Sequence, residues 1–231
     1  EAYDRAAELG DDRLFLLPLW VATEIMMDDS PAQAVEKLDE VVEMARRVGN
    51  KPIEAHALGS KTAALARLGE FEEALKVGPE ALAAAEASDS VIKLADVNLL
   101  MGLALLEMGE PRPGIQHLAH GTDLALSVNG FECACNGLHL MGLGHLQEEH
   151  VQEALDELAR AQEIAAGTAM EHALHNVRAA LANAHFLAGD VAALGRIERE
   201  IENAEALNDG FGAATGRLAL AGALVALGRG A

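Results

Sequence analysis

A short sequence pattern returns along this chain at intervals of forty residues. One copy reads LGEFEEAL, from Leu68 to Leu75, and the matching octapeptides begin at residues 28, 108, 148 and 188. A small residue keeps its place in the pattern, with a shift of one in the last copy: Ala34, Ala74, Gly114, Ala154 and Ala193. Self-similarity at a fixed period predicts a repeat protein, in which each copy buries its apolar face against its neighbours.

Each copy is predicted to contain two helices joined by a short turn. Between the turns, apolar residues recur at the spacing of an amphipathic helix, as at Leu99, Leu103 and Leu106. Pro31 and Pro111 share a column of the repeat, where the first turn of a second helix needs no backbone N–H donor. Aromatic residues make up only 3% of the chain, and the abundant Ala and Leu favour helices over strands.

These patterns predict an all-α fold, an α-α superhelix in the form of a right-handed solenoid. We expect about five full helical hairpins with half a hairpin at each end, the first half being a helix from Glu1 to Leu9. The whole chain, 1–231, is interpreted as one repeat domain. Because it opens with Glu inside a predicted helix, it is also interpreted as a fragment of a longer regulator.

Two positions depart from the repeat. Gly78 and Pro79 fall within the second helix of the second full copy, where other copies carry leucine, and they predict an interruption and a kink. Lys61 stands in a column that is otherwise apolar, so we expect its amine to reach solvent or a carboxylate.

The columns resemble a tetratricopeptide repeat, with a small residue, an alanine twelve positions later and an apolar residue four beyond, as in Gly142, Ala154 and Leu158. The resemblance covers essentially the whole chain. The usual unit has 34 residues, and the forty-residue unit is similar to the longer variety in bacterial signal-transduction ATPases related to the maltose-regulon activator and in cyclase-linked regulators. Six additional residues correspond to about one more helical turn, or a little over, per hairpin.

Charge and cysteine content argue against several classes of function. A net charge of −20 and a pI near 4.7 disfavour direct nucleic-acid binding, which depends on clustered basic residues. Cys133 and Cys135 are two residues apart, so on a helix they cannot form a disulfide or share a metal. No apolar run reaches the roughly 18–20 residues of a membrane span, and no signal peptide is evident. We therefore expect a cytoplasmic protein without membrane contact.

Several short motifs miss the spacing that their chemistry requires. GSKT at 59–62 has the residues of a phosphate loop in the wrong order, and GFGAATG at 210–216 is interpreted as a flexible connector. HLQEEH, from His145 to His150, combines two histidines with two carboxylates, but it straddles a predicted turn and misses the i, i+4 spacing of a helical zinc protease. The pairs His117 with His120 and His172 with His175 lack carboxylate or cysteine partners at matched spacing. We predict no catalytic residues, no metal site and no cofactor, and hence no enzyme.

The resemblance implies a concave groove lined by the first helices of the hairpins. Its predicted residues are Leu99, Leu103, Leu106, Asn136, His139, Leu143, Leu146, Asn176, Asn183 and Phe186. A forty-residue column of His56, Asp96, Asn136 and Asn176 is expected to form a polar ladder along one edge. Lysines that clamp a peptide's C-terminal carboxylate in some family members are missing from these positions. The alternative is that the leucines pack against neighbouring helices instead.

The predicted function is that of a protein-interaction or sensor module in a bacterial signal-transduction or transcriptional regulator. Its partner would be a helix, an extended peptide or a second copy of the chain, held in the groove. The alternative is a receptor for a small ligand or a peptide pheromone, whose groove encloses the effector and changes the pitch of the superhelix.

Overall fold

The computed structural model describes residues 12–168, 170–206 and 210–227, and these residues are helical almost throughout. Eleven α-helices and one short 3-10 helix are found there, and no strand. The α-helices are α1 (Asp12–Asp29), α2 (Pro31–Val48), α3 (Lys51–Arg67), α4 (Phe71–Glu86), α5 (Val91–Glu107), α6 (Pro111–Ser127), α7 (Phe131–Gln147), α8 (Val151–Gly167), α9 (Glu171–Leu187), α10 (Leu194–Ala206) and α11 (Gly210–Ala226). The 3-10 helix, Val191–Ala193, precedes α10. The all-α prediction is confirmed.

The forty-residue period of the sequence is the period of the helices. The second helix of each hairpin begins forty residues after the one before, at Pro31, Phe71, Pro111 and Val151, and the 3-10 helix before α10 begins at Val191. Five helical hairpins, from α1–α2 to α9–α10, are therefore confirmed, and α11 follows them as a single first helix. The predicted half-hairpin at Glu1 to Leu9 lies outside the described residues.

The turns inside three of the hairpins, the second, third and fifth, share one backbone geometry. Gly69, Gly109 and Gly189 adopt φ values of 79°, 76° and 100°, a left-handed region that glycine enters without steric cost. The next residue donates its N–H to a carbonyl five residues back, as in Glu70 to Leu65, at 2.9 Å. This is the pattern of a helix that ends at a left-handed glycine, and it explains why a glycine returns at this position of the repeat.

Small residues in the repeat columns allow two helices to approach closely. A Cβ added at Gly102 would lie 2.5 Å from Leu118 Cγ and 2.9 Å from the carbonyl oxygen of Gly114. A Cβ added at Gly142 would lie 2.5 Å from Leu158 Cγ. Glycine is therefore required at these positions for the contact between the two helices of a hairpin.

The first predicted departure has a packing explanation. Helix α4 runs unbroken through Gly78 and Pro79, so the expected interruption is wrong, and the kink stays a prediction. A Cβ at Gly78 would lie 2.6 Å from Met101 Sδ and 3.4 Å from Thr62 Cγ2. Thr62 stands in the column that holds Gly102 and Gly142, whereas Gly78 stands in the column of Leu118 and Leu158. In this hairpin the larger residue, Thr62, stands where other hairpins have glycine, and Gly78 stands where they have leucine. The interface between the helices therefore stays filled.

The interpretation of 210–216 as a flexible connector is wrong, because α11 begins at Gly210 and includes the whole motif. A Cβ at Gly216 would lie 2.6 Å from Ile201 Cγ1, so this glycine allows a close helix contact and does not provide flexibility.

Lys61 meets the expected carboxylate, since its Nζ lies 2.5 Å from Asp39 Oδ1.

Two compact units divide the chain, Glu1–Val128 and Asn129–Ala231. The core of the first unit is built from buried residues of its successive hairpins, among them Leu38, Leu58 and Val97. In the second unit, Leu158 packs with Ala180 and Ala184, and Ile197 packs with Ala182. That the chain forms a single domain stays a prediction. No described helix is long and apolar enough to cross a membrane.

Candidate functional site

Three of the predicted groove residues are buried in the protein. Leu99 and Leu106 are 7% and 6% exposed and pack inside their own hairpin, where a Cβ on Gly121 would overlap Leu99 and one on Gly114 would lie 3.2 Å from Leu106 Cδ2. Phe186 is equally buried, in a cluster of the second unit with Ala193 and Ala223. These side chains are part of the core and offer little surface to a partner.

The other predicted groove residues keep some accessible surface. Asn136 is exposed, and the rest are half-buried: Leu103, His139, Leu143, Leu146, Asn176 and Asn183. Leu143 and Leu146 also pack against a cluster of Leu158, from the same hairpin, with Ala180 and Ala184 of α9, which is the arrangement that the alternative interpretation describes. The groove itself stays a prediction at these positions.

Two of the polar groove residues carry buried atoms that form no hydrogen bond with any residue that the structure describes. These atoms are His139 Nε2, on α7, and Asn176 Oδ1, on α9. Burial lowers the pKa of His139 to about 4, because a charged imidazole would lose its solvation there. The ring is therefore neutral at physiological pH. Buried polar atoms normally have partners, so a bound ligand or water is the natural complement to both groups.

A more tightly connected polar site lies on the first helices of the first unit, and we call it the tryptophan cluster. Three helices each contribute two residues spaced by about one turn, so that each pair lies on one helix face. The cluster consists of Trp20 and Glu24 from α1, His56 and Ser60 from α3, and Lys93 and Asp96 from α5.

Glu24 is the acceptor at one end of the tryptophan cluster. Trp20 Nε1 and Ser60 Oγ both donate to Glu24 Oε1, each at 2.9 Å. Ser60 is almost fully buried, while the side chain of Glu24 remains 30% exposed. Two neutral donors fix the carboxylate without neutralising it, so its negative charge stays available at the surface.

The other end of the cluster is an ion pair, and an imidazole lies between the two ends. Lys93 Nζ lies 2.8 Å from Asp96 Oδ2 and 5.7 Å from the centre of the Trp20 ring. His56 Nδ1 lies 3.7 Å from the same oxygen of Asp96, and the His56 ring meets Trp20 edge-on, with centroids 5.1 Å apart. His56 Nδ1 is buried and forms no hydrogen bond with a described residue.

The tryptophan cluster is therefore a partly exposed surface with an aromatic wall and an excess of negative charge. Two carboxylates face one lysine, which leaves a net charge of −1 when the imidazole is neutral. A carboxylate accepts hydrogen bonds only, and an indole face attracts cations. The arrangement is suited to an ammonium or guanidinium group.

Sequence reasoning found part of this cluster. The adjacency of His56 and Asp96 agrees with the predicted ladder, but Trp20, Glu24, Ser60 and Lys93 were missed. Trp20 is the only tryptophan of the chain, and Ser60 stands forty residues after it in the same repeat column. That coincidence was the available signal. No sequence signal indicated the ion pair of Lys93, because that pair depends on side-chain conformation.

The short motifs that miss the spacing of a functional site have structural roles. GSKT at 59–62 lies inside α3, where Lys61 pairs with Asp39. His175 Nδ1 lies 2.9 Å from Glu200 Oε2, and the side chain of His172 is outside the described set. Cys133 and Cys135 are buried and are not joined in a disulfide, and burial raises the pKa of the Cys135 thiol. Among described residues, no three His, Cys, Asp or Glu side chains are grouped closely enough to hold a metal.

No protein-family model and no curated protein matches the sequence. Among solved structures, BtubC from P. vanneervenii is similar with a TM-score of 0.69 at 15% identity, over 87% of this chain and 85% of that one. A Rap protein complexed with competence and sporulation factor gives 0.65 at 13% identity, over 92% and 64%. A signal-transduction ATPase with a tetratricopeptide-repeat sensor from Pyrococcus horikoshii gives 0.60 at 16% identity.

The fold is of the tetratricopeptide-repeat type. The match to the Pyrococcus ATPase covers 94% of this chain but only 34% of that protein. At identities this low, the structural similarity establishes the tetratricopeptide-type fold but no shared activity. In a fold of this type, both the predicted groove residues and the tryptophan cluster belong to the first helices of their hairpins.

Proposed function

We propose that this chain is the protein-binding or sensor segment of a cytoplasmic bacterial regulator, and that it binds a helix or peptide along its first helices. The tryptophan cluster carries the proposal, since it joins the first helices of three successive hairpins into one polar surface. Core packing does not require two carboxylates, a lysine and the single tryptophan at this place. A bound partner would use them.

The chemistry of the cluster selects a basic side chain in that partner. Glu24 and Asp96 supply the negative charge, and Trp20 supplies the ring face. The chain as a whole carries a net charge of −20, which attracts cationic partners over a distance of about 8–10 Å at ordinary salt. An arginine of a bound helix or peptide would meet both the acceptors and the aromatic surface.

The predicted groove of the second unit supports the same function. Asn136 and Asn183 are accessible there, and the unpaired His139 Nε2 and Asn176 Oδ1 would find partners in the backbone of a bound peptide. The half-buried Leu143 and Leu146 would add apolar contact there, and Leu103 would do so on the first unit. We propose these residues as secondary contacts.

A second candidate function is a receptor for a compact ligand or peptide pheromone. The unpaired His139 and Asn176 atoms favour it, because an enclosed effector would satisfy both. The similar Rap protein was solved in complex with competence and sporulation factor, and the similar ATPase carries its repeats as a sensor. In either case the occupied surface lies on first helices.

The single tryptophan allows a direct binding test. We would titrate the protein with a short amphipathic peptide of Ala and Leu that carries one arginine, and with the same peptide carrying citrulline, which has the shape of arginine without its charge. Trp20 emission should change on addition of the arginine peptide and respond less to the citrulline peptide. The variant Glu24→Gln should bind the arginine peptide several-fold more weakly.

The matched control is Glu73→Gln, which removes one carboxylate from α4 in the same unit, where Glu73 pairs with Lys76. It should bind like the wild type. Equal responses to the arginine and citrulline peptides, or equal losses in Glu24→Gln and Glu73→Gln, would show that the tryptophan cluster does not recognise a cation.

A further inference from the structure

The second unit contains a cavity of about 280 Å³ with three arginines on its walls. We call it the arginine pocket. It is bordered by α8, α9 and α10, and its polar lining consists of Gln162, Arg178, His185, Arg196, Arg199 and Glu200. Leu181 and Ala182 of α9 provide its apolar surface. The volume is at the lower limit of small-molecule sites, so the pocket fits a compact group.

Helical spacing brings the charged side chains together. Arg178, Leu181, Ala182 and His185 are three, four and seven residues apart and share one face of α9. On α10, Arg196 and Arg199 are three residues apart, which places both on the face that meets α9. The guanidinium groups therefore surround the cavity from two helices.

The acidic side chains near the arginine pocket already have partners. Glu200 is the one carboxylate among the described residues that line the cavity, and it bonds His175 Nδ1 at 2.9 Å. Asp190 lies 2.6 Å from Arg196 Nη2, and this hydrogen bond lowers the pKa of the Asp190 carboxyl. With a neutral His185, the three arginines, Glu200 and Asp190 sum to a net charge of +1.

Arg178 and Arg199 differ from every other arginine that the structure describes. All the others interact with another group, for example Arg46 with Glu54 and Arg160 with Glu157. Neither Arg178 nor Arg199 has a side-chain hydrogen bond or ion pair with any residue whose side chain the structure describes. Acidic residues outnumber basic ones by 37 to 17 in this chain, so two arginines without carboxylate partners at one cavity are unexpected.

We propose that the arginine pocket binds a phosphoryl group. Guanidinium groups recognise phosphate oxygens through paired, charge-assisted hydrogen bonds, and phosphate offers more acceptor oxygens and more charge than a monocarboxylate. Arg178 and Arg199 supply the free donors, Arg196 adds charge, and Gln162 adds a neutral donor. The site is separate from the first-helix surface proposed above. Its occupant is either a free phosphate compound or a phosphorylated side chain.

The experiment measures the melting temperature and binding heat of the protein with pyrophosphate and with an N-acetylated phosphoserine amide, at constant ionic strength. A ligand that binds only the folded state raises the melting temperature, and the rise grows with the logarithm of the ratio of ligand concentration to dissociation constant. Acetate and sodium chloride serve as ion controls. We expect saturable binding of at least one phosphoryl probe and none of acetate.

Variants locate the site. Arg178→Gln and Arg199→Gln should each weaken phosphoryl binding by about ten-fold or more, and Arg178→Lys, which retains charge but not the forked geometry, by less. Arg160→Gln is the matched control, since it removes the same charge from α8 outside the lining. Circular dichroism confirms that each variant is folded, and Arg199→Gln changes an exposed residue.

The two sources of phosphate give different results. Tighter binding of pyrophosphate indicates a free phosphate compound, and tighter binding of phosphoserine indicates a modified partner; both support the proposal. It is overturned if neither probe binds, if acetate binds equally well, or if Arg160→Gln weakens binding as much as Arg178→Gln and Arg199→Gln do.

Discussion

Replacing Gly102 with alanine tests whether close helix approach holds the hairpins together. The new Cβ would lie 2.5 Å from Leu118 Cγ, 2.8 Å from Leu118 Cδ2 and 2.9 Å from the carbonyl oxygen of Gly114. Carbon atoms in contact normally stay about 3.5–4.0 Å apart. Leu118 is fully buried and the Gly114 oxygen belongs to the backbone, so α5 and α6 must separate to make room.

The expected cost follows from two opposing effects. Overpacking a tight interface costs about 1–3 kcal/mol. Alanine is favoured over glycine within a helix by about 1 kcal/mol, which offsets part of that cost. We therefore expect Gly102→Ala to lower the free energy of unfolding by about 0–2 kcal/mol, towards the upper end because one of the overlapping groups is backbone. In a Leu118→Ala background, part of this loss should disappear, because one of the overlapping groups is gone.

Urea unfolding followed by Trp20 emission reports on the first unit, which contains both Trp20 and Gly102. Gly195→Ala is the control, since a Cβ there meets nothing within 4 Å and Gly195 lies in α10. Circular dichroism should show this variant stabilised by about 0.5–1 kcal/mol. An unfolding midpoint for Gly102→Ala that rises as it does for Gly195→Ala would refute the close-approach argument.

Three further predictions concern stability. Gly69→Ala should destabilise the first unit by about 1 kcal/mol, measured by urea unfolding, because φ is 79° there although space is open; a loss as small as that of an exposed helix substitution would contradict this. Burial raises the pKa of Glu54, but hydrogen bonds from Lys51 and Arg46 outweigh it and lower that pKa below 4.5. Its contribution to stability is therefore present above pH 4.5 and lost as pH falls through the folded-state pKa, so melting curves should fall less steeply with acid in Glu54→Gln than in wild type. Lys61→Met restores an apolar residue to its column and leaves only a half-exposed Asp39 unpaired, so the unfolding midpoint should stay equal or rise; a clear drop would show that the ion pair is needed.

The repeat could be predicted from the sequence because its signals depend on residues that are close together in the chain. A left-handed glycine followed by a helix start, as at Gly69 and Phe71, depends on neighbouring residues only, and it recurs at Gly109 and Gly189. The role of Gly78 was not readable, since it depends on Thr62 and Met101 across helix interfaces. The same limit explains 210–216, where Gly216 makes room for Ile201.

The site was harder to predict for a related reason. Hydrophobic spacing shows which residues are apolar but not whether a partner or the protein itself covers them, and Leu99 and Phe186 proved to be core residues. Polar neighbours on successive hairpins can be found by the forty-residue offset, as for His56 and Asp96. Their hydrogen bonds, and the charge balance of the cluster, required coordinates.

The most direct test of the binding surface is a calorimetric cycle with two proteins and two peptides. Wild type and Glu24→Gln are each titrated with the arginine and the citrulline peptide, and the four affinities give the coupling energy between Glu24 and the guanidinium. Our account predicts a coupling of about 1 kcal/mol or more in favour of the wild-type pair. A coupling of zero, with all four affinities measurable, would contradict recognition of a cation by the first helices.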